Sequence, residues 1–260
     1  MKVAVVGGMK SLVADYTRIA REQGFEVLNR LYGDWDLLHL VYPLSRQGVQ
    51  QWFNAGTNQK VLLHFQGDDT RPRNAFHYWW LKRLIEMGSA VAYSTPDLEY
   101  NLDWLAPDLP RFHLPVPINT KLFKPQKRLK AEQPLIAGEL YKMKHWEQRF
   151  KELKGREFDM IDWGLDREYY KDIAPKGTRW FPKQDYDSMP DLYTSYNEVV
   201  PQASEAFEML GAMGRVELEA LACGCKLVGY PRYDRNYVVK NHSNKVVGKK
   251  LAKIYNEVCK

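Results

Sequence analysis

The most informative stretch of the chain reads GAMGRVELEALACGCKLVGY and runs from Gly211 to Tyr230. Gly211 and Gly214 precede a short apolar helix, where free backbone N–H groups and the helix dipole attract a phosphate. Glu219 lies one and a half turns further on, at ~3.6 residues per turn, so its carboxylate can accept hydrogen bonds from ribose hydroxyls. Gly224 should end the helix before a buried strand, as at the ligand crevice of a doubly wound α/β domain. This pattern predicts a nucleotide site.

The stretch also fits an interpretation without a ligand, in which Glu219 is an exposed helix residue and the glycines are ordinary turn residues. A family resemblance favours the nucleotide site. The stretch resembles the E-x7-E region of retaining glycosyltransferases of the GT-B fold, family 4 in particular, and Glu219–Gly224 matches the second glutamate's Glu-Ala-Leu/Met-Ala-x-Gly context at every fixed position. The family's first glutamate, which contacts the donor sugar, falls on Gly211. Glu205 and Glu208 are close enough to replace it only if the loop changes register.

A second resemblance lies at Leu135–Lys144, which is similar to the G-R-L-x3-K signature of the same family. In the family, the arginine and the lysine neutralise the donor diphosphate. Gly138 and Lys144 occupy the family positions, whereas the arginine position holds Glu139. Either Lys142 supplies the missing charge, or the site has only one cation. Without the resemblance, Lys144 is better explained as a surface lysine.

Apolar runs that read as strands alternate with helical segments along the chain. This alternation is typical of parallel sheets covered on both faces. The predicted elements include strands at Val3–Val6, Leu37–Tyr42, Val61–Phe65, Ala90–Ser94 and Phe158–Trp163, and helices at Ser11–Gln23, Gln47–Asn54, Asn74–Met87 and Lys245–Val258.

Two further segments extend the resemblance in the family's order. His113–Pro125 resembles the iPNGvDtxxFxP segment that follows the N-terminal domain, and Gln184–Tyr193 resembles the x-x-M-P-x-L-Y helix. The resemblance therefore covers nearly the whole chain. It implies an α/β, GT-B fold in which two Rossmann-like, doubly wound parallel-sheet domains face a cleft. We expect an acceptor-side domain at 1–125 and a nucleotide-sugar-binding domain at 126–260.

The most polar strand end of the first domain is Val61–Arg71, where an apolar strand carrying His64 runs into Gly-Asp-Asp-Thr-Arg. The carboxyl edge of such a strand borders the crevice where α/β ligands bind. The segment resembles the H-x-x-G-x-D-x-R strand end of related transferases, which implies a catalytic His64 and contacts from Asp68, Asp69 and Arg71 to the sugar or the acceptor. A satisfied core histidine and a capped turn with a surface salt bridge explain the same residues.

Gly8 follows Gly7 at the end of the first predicted strand, so this loop can approach a donor phosphate or the acceptor. The pair is not a G-x-G-x-x-G motif, which disfavours a nicotinamide enzyme. The aromatic run Tyr78–Trp80 could stack on a sugar or a base, although such residues are more often packed in the core or at its rim.

Length and composition indicate a globular chain of two domains. Its 260 residues and 30.4 kDa allow two domains of about 100–150 residues each. No apolar run reaches the roughly 18 residues that a transmembrane helix needs. Met1–Gly8 reads as a first strand rather than a signal peptide. Three cysteines make neither a disulfide framework nor a zinc spacing, so we expect a cytoplasmic protein.

The net charge of +6 and the pI of about 9.0 favour anionic partners. Nucleotide sugars, acidic lipid surfaces and nucleic acid all qualify, so peripheral contact with an anionic membrane stays open. The densest basic clusters are Lys121–Lys130 and Lys240–Lys253. Most such runs are solvated faces.

The resemblance implies transfer of a sugar from a nucleoside-diphosphate sugar to an acceptor hydroxyl, with retention at the anomeric carbon and no cofactor or divalent metal. Lys144 and the amides of Gly211 and Gly214 would stabilise the leaving diphosphate. Two alternatives remain. One is a glycosyltransferase that modifies a nucleic-acid base, and the other is a non-catalytic relative that binds nucleotide or glycan without turnover.

Overall fold

The chain divides into two compact units. The first comprises Met1–Pro117 and Asn244–Lys260, and the second comprises Ile118–Ser243. Ile118 belongs to the second unit because its N–H donates to the His242 carbonyl oxygen at 2.7 Å. The computed structural model describes residues 1–28, 34–43, 60–66, 75–153, 155–202 and 213–260.

This division differs from the expected one of 1–125 and 126–260 at both ends. The exit segment from Ile118 onward joins the second unit, and the C-terminal helix Asn244–Val258 joins the first. That helix packs there through its apolar face. The Tyr255 ring lies 5.2 Å from the Phe25 ring, and the Tyr255 hydroxyl bonds His39.

Among its described residues, the first unit has a sheet of six parallel strands in the order β2-β1-β3-β4-β5-β6. The inner strands are continuous apolar runs because helices cover both sheet faces. Its first three helices are α1 (Lys10–Glu22), α2 (Ala75–Met87) and α3 (Pro96–Leu105). The strands are β1 (Lys2–Gly7), β2 (Glu26–Leu28), β3 (Leu37–Val41), β4 (Lys60–Phe65), β5 (Ala90–Tyr93) and β6 (Arg111–His113).

The second unit, within its described residues, has five parallel strands in the order β11-β10-β7-β8-β9. The order reverses between β7 and β10, the point at which open α/β sheets leave a ligand crevice. The strands are β7 (Leu135–Ile136), β8 (Asp159–Asp162), β9 (Arg179–Pro182), β10 (Glu198–Val199) and β11 (Lys226–Leu227). The helices are α4 (Trp146–Glu152), α5 (Arg167–Ile173), α6 (Met189–Thr194), α7 (Arg215–Ala222) and α8 (Arg235–His242).

The predicted alternation of strands and helices is confirmed in both units. The strands expected at Val3–Val6, Val61–Phe65 and Ala90–Ser94 are present, and none of their ends is shifted by more than one residue. The predicted helix Gln47–Asn54 lies outside the described residues. Within the described ranges, no helix is both long and apolar enough to cross a bilayer.

Candidate functional site

The candidate site lies in the second unit, at the carboxyl ends of the neighbouring strands β7 and β10. The loop that follows β7 carries Gly138, Lys142 and Lys144. The segment that leaves β10 ends at Gln202, and the chain is described again just before α7. Because carboxyl ends of adjacent parallel strands meet at one sheet edge, these segments share the position where α/β proteins bind ligands.

The loop after β7 is fixed by packing and by backbone hydrogen bonds. A Cβ atom on residue 138 would lie 2.5 Å from the Trp146 ring, so glycine makes room for the indole. The Trp146 Nε1–H donates to the Glu139 carbonyl oxygen at 2.9 Å. At the tip of the loop, the Lys142 N–H donates to the Asp166 carboxylate at 2.8 Å. Gly138 therefore has a packing role, and the nucleotide-sugar contact that the family resemblance implies for it stays a prediction.

Two lysines of this loop differ in their surroundings. The exposed Lys142 ammonium lies 4.5 Å from the centre of the Tyr169 ring, a cation–π arrangement. Lys144 is half-buried in the 3₁₀ turn Lys142–Lys144. No carboxylate of the described residues lies within ion-pair distance of Lys144. Its charge is therefore open to an anion at this sheet edge.

Helix α7 begins after Gly214, which has an extended backbone at the N-cap. A Cβ atom on residue 214 would lie 2.9 Å from Glu217 Oε2, so this glycine accommodates the Glu217 carboxylate. Glu217 is 4% exposed, and its Oε1 accepts the Gln202 N–H at 3.2 Å. Glu217 was not among the predicted site residues, although a glutamate at the third helical position is the signal of a capping interaction.

Glu219 lies inside the second unit rather than on its surface. It is 4% exposed, and its Oε1 accepts a hydrogen bond from Arg215 Nε at 2.7 Å. The Arg215 guanidinium also lies 4.7 Å from the centre of the Tyr186 ring. The Tyr193 hydroxyl has no partner among the described residues, and burial, followed by the charges of Glu219 and Glu217, raises its pKa. The carboxylate is thus held by a cation on its own helix.

His64 is fully buried in the first unit, with both ring nitrogens bonded. Its Nδ1 lies 3.0 Å from His39 Nε2, and its Nε2 lies 3.1 Å from Ser94 Oγ and 3.3 Å from the Leu114 carbonyl oxygen. The carbonyl can only accept, so His64 donates from Nε2, His39 donates to His64, and Tyr255 donates to His39 Nδ1 at 2.8 Å. These contacts favour a satisfied core histidine over a catalytic one.

The remaining predicted residues are distributed as follows. The Gly8 N–H donates to the Val41 carbonyl oxygen at 3.1 Å, so this donor is used within the sheet rather than for a phosphate. The predictions for Asp68, Asp69, Arg71, Glu208 and Gly211 lie outside the described residues.

The buried histidine pair predicts acid sensitivity of the first unit. Burial lowers the pKa of His39 to about 3 and lowers that of His64 well below its usual value. Below pH ~6.5 the unfolded chain therefore binds protons that the native chain does not. The free energy of unfolding should fall as the pH drops from 7.5 to 5, by up to about 1.4 kcal/mol per pH unit and histidine. Urea unfolding of the first unit, repeated at each pH, measures this loss of stability.

A control for this prediction is His145→Gln, because the His145 side chain is 62% exposed. This variant should keep the full pH dependence. The double variant His39→Gln/His64→Gln should be less stable at pH 7.5 and should lose most of the slope. An unchanged slope in the double variant would mean that other groups cause the acid sensitivity.

Comparison with known proteins finds similarity in structure. No family model and no curated protein matches the sequence. Sucrose-phosphate synthase from Thermosynechococcus elongatus matches with a TM-score of 0.67 and 15% identity, over 96% of this chain and 78% of that one. HepE of Anabaena, solved with UDP and glucose, matches with a TM-score of 0.66 and 11% identity, over 99% of this chain and 100% of that one.

A third solved structure is the BGT of phage T4 in complex with its UDP-glucose substrate. It matches with a TM-score of 0.60 and 11% identity, over 98% of this chain and 90% of that one. All three are GT-B glycosyltransferases. The chain has the GT-B fold. In this GT-B chain, the β7–β10 edge holds Lys144 and the start of α7 within one Rossmann-like unit.

Proposed function

We propose that the chain is a glycosyltransferase that moves a sugar from a nucleoside-diphosphate sugar to an acceptor hydroxyl. The observation that carries the proposal is the position of Lys144 and of the amino end of α7 at the β7–β10 edge of a GT-B chain. A lysine without a carboxylate partner and a helix amino end both favour a diphosphate. HepE and the phage T4 BGT were solved with UDP or UDP-glucose, so UDP-glucose is the first donor to test.

In the proposed reaction, the bond between the anomeric carbon and the diphosphate oxygen breaks, and its electron pair stays on the diphosphate. The acceptor oxygen forms the new bond on the same face of the sugar, so the configuration is retained. The acceptor proton passes to the leaving phosphate. Lys144 and the N–H groups at the start of α7 stabilise the developing charge, without a divalent metal. The acceptor is a glycan, a lipid-linked sugar or a small molecule.

The proposal predicts selective binding of a nucleoside diphosphate. The unfolding midpoint should rise with UDP and UDP-glucose, with or without magnesium. At 100 times the dissociation constant, the ligand adds about 2.7 kcal/mol to the free energy of unfolding. Glu219→Gln should weaken UDP binding by about 10- to 100-fold, because a hydrogen bond to a charged group contributes about 1.5–3 kcal/mol. Thermal shift and calorimetry against UDP, GDP and ADP measure both effects.

Glu168→Gln is the matched control, since Glu168 lies on α5 of the same unit with a side chain 72% exposed. It should bind UDP as the native chain does. No stabilisation by any nucleotide would refute the donor site. Sugar transfer from UDP-glucose is tested with several acceptors, including lipid-linked sugars in vesicles. Binding of UDP without transfer to any of these acceptors would favour a non-catalytic relative. Magnesium-dependent binding would contradict the metal-independent mechanism.

A further inference from the structure

An arginine in α4 is buried beside the strand end that leads to the candidate site. Arg149 is 6% exposed. Its Nε donates to the Pro201 carbonyl oxygen at 3.0 Å, and its Nη2 donates to the Gln202 carbonyl oxygen at 3.2 Å. These are the last residues described after β10. A single guanidinium therefore holds two successive carbonyl groups at the carboxyl end of a central strand.

The other side of the same peptide is held from α7. The Gln202 N–H donates to Glu217 Oε1 at 3.2 Å, and Glu217 is almost completely buried. Gln202 is thus bonded through its carbonyl oxygen to α4 and through its N–H to α7. The two side chains form a bridge of three hydrogen bonds across the end of β10, which we call the Gln202 bridge. It is made of Arg149, Gln202 and Glu217, with the Pro201 carbonyl group.

The Gln202 bridge connects the two segments of the candidate site. Helix α4 begins with Trp146, whose ring packs on Gly138 and whose indole N–H fixes Glu139. Lys144 lies two residues before Trp146, and Glu219 lies two residues after Glu217. We call the segment Gly138–Lys144 the lysine loop. A displacement of the Gln202 bridge would therefore move the lysine loop and the start of α7 relative to each other.

The surroundings of Arg149 argue against a direct role in binding phosphate. Beyond the two carbonyl groups, its Nη1 donates to the Glu152 carboxylate and its Nη2 to the Tyr230 hydroxyl. Its guanidinium carbon lies 5.8 Å from the centre of the Tyr230 ring. Glu152 balances its charge, and the planar guanidinium group fixes the positions of the two carbonyl oxygens. A lysine cannot reproduce a fork that spans two carbonyl oxygens.

We propose that Arg149 and Glu217 are positioning residues for the donor nucleotide, which hold the lysine loop and the start of α7 in register through the Gln202 bridge. The inference rests on the proposed function of the same site. It assigns neither residue to contact with the substrate. Geometry at a binding site must be held to within a fraction of an ångström by such supporting contacts, and a small misplacement can cost about 100-fold.

The test compares UDP affinity in single and double variants by calorimetry. Arg149→Met and Glu217→Leu should each weaken UDP binding by about 10- to 100-fold. Because both break the same bridge, the double variant should bind UDP no more weakly than the worse single variant. Glu217→Gln should bind like the native chain, since its amide oxygen still accepts the Gln202 N–H. Arg149→Lys should remain impaired.

The matched control is Arg156→Met. Arg156 pairs with Glu198, the first residue of β10, with side chains 44% and 32% exposed. The Arg156→Met variant removes an arginine at the opposite end of β10, away from the Gln202 bridge, and should leave UDP affinity unchanged. Should Arg149→Met fail to fold, Arg149→Lys and Glu217→Leu carry the test, with the unfolding midpoint and far-UV circular dichroism as checks.

Each outcome supports or overturns the inference. Native affinity in folded Arg149→Lys and Glu217→Leu would overturn it. Rescue by Arg149→Lys, with a salt dependence of UDP binding that falls in Arg149→Met, would assign Arg149 to the phosphate instead. Stronger binding in Glu217→Gln would assign Glu217 an electrostatic role and would also overturn it. If the native chain binds no nucleotide, the proposed function fails first and the inference fails with it.

Discussion

Replacement of Lys144 by methionine is expected to slow sugar release from UDP-glucose by about 10²- to 10³-fold, the usual cost of removing one group that stabilises developing charge. The reason lies in its electrostatic surroundings. Lys144 is half-buried, and no carboxylate of the described residues pairs with it. An ammonium in such a position interacts more strongly with a diphosphate than an exposed lysine does, because less water screens it. Methionine keeps much of the stem's volume, so the fold should be retained.

The matched variant is Lys142→Met in the same 3₁₀ turn. Lys142 is exposed and lies over the Tyr169 ring, so its loss should cost much less. The measurement is the rate of UDP release from UDP-glucose with water as acceptor, together with the UDP dissociation constant. Equal losses in the two variants would mean that both lysines act on the diphosphate. An unchanged rate in Lys144→Met would remove Lys144 from the mechanism.

Sequence periodicity predicted the strands well because both sheets are parallel and buried on two faces. Leu37–Val41 and Lys60–Phe65 are short, nearly continuous apolar runs, which are typical of parallel strands buried on both faces and too short for most helices. The C-terminal helix was also predicted, but its unit was not. Its apolar stripe predicts a buried face without saying which core buries that face. Only the tertiary contacts of Tyr255 with Phe25 and His39 place it in the first unit.

The candidate site was predictable where a local motif marks it and not where distant contacts build it. The helix carrying Glu219 follows from local sequence and family resemblance, whereas Lys144 was singled out by the family resemblance alone. The role of Arg149 could not be predicted from the sequence, because its carbonyl partners lie 52 and 53 residues away along the chain. His64 lies on an apolar strand whose pattern allowed either a crevice or a core position. Its bonds to His39 and Ser94 favour the core.

Gly138→Ala is expected to destabilise the second unit by about 1–3 kcal/mol, the cost of overpacking a core. The added Cβ would lie 2.5 Å from Cζ2 and 3.0 Å from Cη2 of the Trp146 indole. The ring is 1% exposed and is fixed by its hydrogen bond to the Glu139 carbonyl oxygen. It cannot move outward without breaking that bond and shifting the turn that carries Lys144. Urea unfolding of the second unit measures the loss, and calorimetry measures UDP affinity in the same protein.

The compensating variant is Trp146→Phe, which removes the part of the indole that the new methyl group would meet. Alone, it should leave a cavity and lower the free energy of unfolding. In the double variant Gly138→Ala/Trp146→Phe, the methyl group fills part of that cavity, so the combined loss should be smaller than the sum of the single losses. Both Trp146→Phe and the double variant lack the indole N–H that donates to the Glu139 carbonyl oxygen, so UDP affinity in the double variant is compared with that of Trp146→Phe alone and should be no weaker. Additive losses would show that the clash with Trp146 is not what requires glycine at position 138. Weaker UDP binding in the double variant than in Trp146→Phe, at equal stability, would instead show that nucleotide binding itself requires glycine at position 138.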